Sequence, residues 1–144
     1  MSLNKWNIPD EKFIFESISN RFNMMDESII SYLKEDTTEE NLHKVRINLR
    51  RLRYTLEVFS SFFKDDEWYE IFYKNVSKLQ DITGRARDLD VIKEYLSNKN
   101  LPQEESIEND KNRLKNKAIK KLEDFINTKN YIKFKKFFGT KKED

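Results

Sequence analysis

Leu42-His43-Lys44-Val45-Arg46-Ile47-Asn48-Leu49-Arg50-Arg51-Leu52-Arg53-Tyr54-Thr55-Leu56-Glu57-Val58-Phe59-Ser60-Ser61-Phe62-Phe63 is the stretch whose reading decides the fold. Each helical residue turns by about 100°. Counted from His43, the apolar residues Leu42, Val45, Leu49, Leu52, Leu56, Phe59 and Phe63 cluster between about 160° and 260°. Arg46, Arg50 and Arg53 fall at about 300°, 340° and 280°, so with His43 they form a narrow basic strip beside the apolar stripe. The spacing predicts a helix over about residues 38–63, docked by its apolar face, with its cations at the margin of the core. Guanidinium groups held this close repel one another, and partial burial raises the cost. An anion or neighbouring carboxylates must compensate them. The planar fork of Arg matches phosphate oxygens two at a time. The competing reading is a salt-bridged face. Glu57 lies four residues after Arg53 at about 320° and can pair with it. A single His, taken alone, is more often structural than functional.

The flanking segments repeat the helical period. Ile14, Ile18, Phe22, Met25, Ile29 and Leu33 make an apolar stripe on a helix from Pro9 to Lys34, with Asp10 and Glu11 at its positive end. Thr37 and Glu40 read as a capping box for the next helix. A third helix follows Asp65-Asp66 and carries Trp68, Phe72, Val76 and Leu79 as far as Gly84, which either ends it or permits a close crossing. A fourth spans Asp88 to Ser97, and Ser97 to Pro102 reads as a loop with Pro102 opening the fifth helix. That helix carries Ile107, Leu114, Ala118, Leu122 and Phe125. A short sixth follows Asn127-Thr128 with Tyr131, Phe134, Phe137 and Phe138. No segment alternates as a strand does. The expected fold is all-α, a single antiparallel bundle of five to six helices over residues 1–144.

Composition agrees with this class. Of 144 residues 38% are charged and 37% hydrophobic, with only two Gly and two Pro, which suits long helices with wet faces. No apolar run is long enough for a bilayer, so no membrane partner is expected. Met1 to Asp10 lacks a signal pattern, and the absence of Cys fits a reducing compartment, so the expected location is cytoplasmic. The net charge of +2 conceals segregation: residues 1–40 sum to −5, 41–63 to +4, 64–110 to −5 and 111–144 to +8. There is no phosphate-cradling Gly-rich loop, Cys nucleophile or metal-ligand spacing, so neither an enzyme nor a cofactor or metal is expected. Asp88 and Asp90 would not share a helix face. Asp81 and Asp88 are read as caps or as partners of Arg85 and Arg87.

His43 through Tyr54, followed by Glu57, resembles the signature helix of the CHAD family, the conserved-histidine α-helical domains. A second match is Leu79-Gln80-Asp81-Ile82-Thr83-Gly84-Arg85-Ala86-Arg87-Asp88-Leu89-Asp90-Val91, with Thr83 where the family usually has Leu. Arg113 through Phe138 resembles the helix pair that closes a family repeat. The resemblance covers most of residues 10–138. It implies one half of a CHAD domain: a helical bundle that binds inorganic polyphosphate on a concave basic surface, at polyphosphate granules or beside triphosphate-processing domains. Carried over by position, the phosphate-binding residues would be His43, Arg46, Arg50, Arg53, Arg87 and Lys78. The family usually pairs two similar halves, whereas this chain has one signature helix. A homodimer bringing two basic helices face to face is therefore the expected assembly. Nucleic acid is the less favoured ligand, because the aromatics fall mostly on core stripes and no stacking platform stands out. An accessory module of a phosphate-processing enzyme is the remaining alternative.

Overall fold

Asp10 opens the first helix by accepting a hydrogen bond from the Phe13 amide at 2.7 Å. The computed structural model describes residues 10–100 and 105–139, and the side chains of Arg87, Asp90, Glu105 and Ser106 also lie outside the described residues. The expected roles of Pro9 and Pro102 therefore fall outside them. Helix α1 spans Glu11–Ile30 and buries Ile14, Ile18, Phe22, Met25 and Ile29, the expected stripe except Leu33, which lies beyond the helix and is only partly buried. It continues as a wider π-type turn over Ser31–Glu35, which places Tyr32 wholly inside the core.

Helix α2 spans Glu39–Val58. Its cap is Thr38, whose hydroxyl accepts from the Asn41 amide at 3.2 Å, and not Thr37. The π-type turn carries the helical path to Glu35, so the chain turns extended at Asp36 and re-enters at Thr38. The expected Thr37–Glu40 capping box does not form; the Glu40 carboxylate faces Lys44 at 4.0 Å instead. The helix also stops short of Phe63. A tighter single turn, Ser60–Phe63, follows it and stacks the Phe63 ring on Tyr69 at 4.3 Å.

Helix α3 spans Glu67–Asn98 without interruption, where two helices broken near Gly84 were expected. A mid-helix glycine costs only about 0.5–1 kcal/mol, and α3 is packed against α2 on one flank and the following helix on the other. That burial outweighs the local preference. Because α3 runs on, Asp81 and Asp88 cap nothing. Chain reversal comes at Asn100, which takes the left-handed φ of 53°. Helix α4 spans Glu105–Ile126. Helix α5 spans Lys129–Phe138 and is capped by Thr128, which accepts from the Tyr131 amide.

Among the described residues the result is five α-helices and no strand. Consecutive long helices run antiparallel: Phe13 meets Phe59 while Met24 meets Asn48, and Arg53 meets Gln80 while Arg46 meets Asp88. Helix α5 folds back across α1 and α3. Phe134 stacks on Phe72 at 3.7 Å, the Ser19 hydroxyl donates to the Phe138 carbonyl at 2.6 Å, and Lys135 pairs with the largely buried Asp26 at 3.1 Å. Tyr131, Phe134 and Phe138 thus close their own bundle, leaving Phe137 half exposed.

Leu49 is wholly buried at the centre of α2. Leu49→Ala should lower stability by about 2–5 kcal/mol in urea denaturation, and Phe134→Ala by about 3–5 kcal/mol. Gly84→Ala should act in the other direction. A Cβ there meets the Arg46 side chain at an ordinary 3.6 Å, and the glycine φ is not positive. A gain of about 0.5–1 kcal/mol is expected from helix propensity.

Candidate functional site

The seam where α2 crosses α3 is built from two rows. Helix α2 contributes the strip of His43, Arg46, Arg50 and Arg53. Helix α3 contributes Tyr73, Gln80, Gly84 and Asp88, which recur at seven, four and four residues and so share a face. Leu42, Val45, Leu49, Leu52 and Leu56 anchor α2 beneath the strip.

The three guanidinium groups are held differently. Arg53 donates from Nε to Glu57 Oε1 at 3.2 Å and from Nη1 to Gln80 Oε1 at 3.1 Å. Tyr73 donates its hydroxyl to the same Glu57 oxygen at 2.6 Å. Interaction first with Tyr73, then with Glu57, holds Arg53 above the ordinary guanidinium range, partly opposed by burial. Arg46 lies against Gly84, where the missing side chain leaves room, and its Nη1 is 3.9 Å from Asp88 Oδ1. That pair is well exposed and long, and such contacts contribute about 0–1 kcal/mol. Arg50 is exposed and forms no ion pair among the described residues; its guanidinium carbon sits 5.9 Å from the Tyr54 ring. His43 is half-buried, and its Nδ1 is shielded from water without a hydrogen-bond partner.

Of the six residues carried over by position, the structure brings His43, Arg46, Arg50 and Arg53 onto one face. Lys78 is not with them. It lies in a separate groove between α3 and α4, lined also by Asn75, Ile82, Lys121 and Asp124. Lys78 is two residues from Gln80, about 160° away around the helix. Arg87 belongs to α3, with its side chain outside the described residues. The expected pairing of Arg53 with Glu57 is present, while Asp88 pairs with Arg46 across the seam, where Arg85 or Arg87 was expected.

Tyr73, Gln80 and Asp88 were not singled out as the partners of the arginines. The available signal was their spacing, a polar row along an otherwise amphipathic helix. Tyr54 also corrects the reading that no aromatic platform stands out: its ring is 53% exposed beside Arg50. Chemically, the face offers a line of donors with an open centre and two partly engaged ends. It suits oxyanions repeated along a chain.

Among the described residues no helix is long and apolar enough to cross a membrane. No curated protein and no solved structure matches the chain. Residues 16–140 match the family model for the CHAD domain. With most of its length covered by that model, this chain belongs to the CHAD domain family.

Proposed function

We propose that the chain binds inorganic polyphosphate, or a similar phosphate-rich polyanion, along the basic strip of α2. The observation that carries this reading is Arg50. It is a guanidinium on the surface, without an acid among the described residues, placed between Arg46, whose acid is distant, and Arg53, which Glu57 and Gln80 hold. Like charges held in a row favour a ligand that brings several negative charges at once. CHAD domains are associated with polyphosphate binding in general, which agrees with the chemistry. In this reading the domain is a binding module and not an enzyme, and it acts in the cytoplasm, at polyphosphate granules where these form. His43 contributes a hydrogen bond and no proton transfer.

A second reading, single-stranded nucleic acid, draws support from Tyr54. An exposed ring next to a guanidinium can stack a base while Arg50 meets a phosphate. Competition among long-chain polyphosphate, duplex DNA and single-stranded RNA at matched salt separates the two. The expected order places polyphosphate tightest, with affinity falling as salt rises. RNA binding as tight as polyphosphate, and lost in Tyr54→Ala, would establish the second reading instead.

Arg50→Ala should weaken polyphosphate binding by about 10- to 150-fold, which corresponds to a charge-assisted contact of about 1.5–3 kcal/mol. Its circular dichroism and melting temperature should be unchanged, because Arg50 supports no other described side chain through an ion pair. His43→Gln should reduce affinity modestly, since Gln still donates one hydrogen bond. An Arg50→Ala protein that retains full affinity would place the polyanion elsewhere on the chain.

A further inference from the structure

The opposite flank of α2 carries a second feature, independent of the polyphosphate reading. Between α1 and α2 runs an open groove of about 1380 Å³, lined by Phe13, Met24, Tyr54, Val58, Phe59 and Phe62. Val58 is 70% exposed, and Phe13, Tyr54 and Phe62 are each exposed over about half their surface. With Met24 they leave roughly 400–500 Å² of apolar surface in water, taking about 200 Å² for a whole aromatic side chain. A patch of that size is in the usual range for the largest apolar patch on a monomer, and such patches often serve binding. A standard interface covers about 800 Å² per partner, somewhat over half of it apolar.

The charges beside it identify the occupant. On the α1 side stand Glu27 and Glu35, and on the α2 side Lys44, all three around the polar continuation of the same groove. A partner must therefore present base opposite α1, acid opposite α2, and apolar side chains between them. A second copy of this surface, turned by a two-fold axis along the groove, meets all three requirements. We propose that the chain forms a homodimer through this groove, with α1 of each protomer lying antiparallel across α2 of the other. Phe13 then meets the Val58–Phe62 ridge of the second copy, and Glu27 meets the partner's Lys44. Arg21, half-buried in the groove, opposes the base-rich α2 of the second copy, so the association is weak and reversible. The arginine seam stays open on each protomer.

Sedimentation equilibrium of the full chain across loading concentrations, without polyanion, tests this directly. A reversible monomer–dimer equilibrium in the micromolar range is expected. Val58→Asp should weaken it at least about tenfold with an unchanged helical spectrum, since Val58 is on the surface. Glu27→Lys should also weaken it, and adding Lys44→Glu to Glu27→Lys should restore it. That rescue reports the crossing of α1 over α2, which a general loss of stability would not reproduce. A single-chain mass at every concentration would overturn the proposal, as would a Val58→Asp dimer as tight as the original.

Discussion

The structure depends on α2 being buried on one flank only. Leu42, Val45, Leu49, Leu52 and Leu56 are each at most 2% exposed, and they tie α2 to both of its neighbours. The same register fixes everything else the helix carries. One residue further round the wheel, the side chains emerge at the α3 crossing, and there the sequence places arginine. A cation on such a margin has its methylenes over apolar surface and its charged end in water. The site is therefore a consequence of how α2 docks, and it tolerates cations that a deeper position would not.

The seam is neutralised unevenly. At one end Arg53 is engaged by Glu57 and Gln80, with Tyr73 fixing the carboxylate. At the other end Arg46 has a distant, exposed acid. The middle has none among the described residues. Engagement of Arg53 removes rotamer freedom before any ligand arrives, so less entropy is lost on binding. Acids at the ends thus need not oppose an anion in the centre, because they fix the flanking donors while the central charge stays uncompensated.

The helices were legible because their apolar stripes are long and regular; the stripe on α1 and the aromatics of α5 were named residue by residue. The junctions were not. Thr37 and Thr38 are equally good caps, and only the π-type turn before them decides which one enters the helix. Gly84 signals a break locally, but burial on both flanks of α3 overrides a preference of about 1 kcal/mol. In the site, Arg53–Glu57 could be read because both residues lie on one helix. Arg53–Gln80 and Arg46–Asp88 could not, since they depend on how α2 and α3 cross. Lys78 shows the converse. Its place in a motif suggested the seam, while its angle on α3 turns it toward α4.

The aromatic closure explains why a chain this polar holds a fixed seam. Phe22, Phe72, Phe125, Tyr131 and Phe134 form a connected set of rings between α1, α3, α4 and α5. Large rigid rings bury much area at little rotamer cost. They tie α3 to α1, α4 and α5. Asp26 with Lys135 and Ser19 with the Phe138 carbonyl pin α1 in the same way. Helix α2 then packs onto two helices whose separation is already set, and its outer flank need contribute nothing to the core. That freedom allows one helix to expose Arg50 toward the seam side and Tyr54 and Val58 toward the groove without loss of the fold.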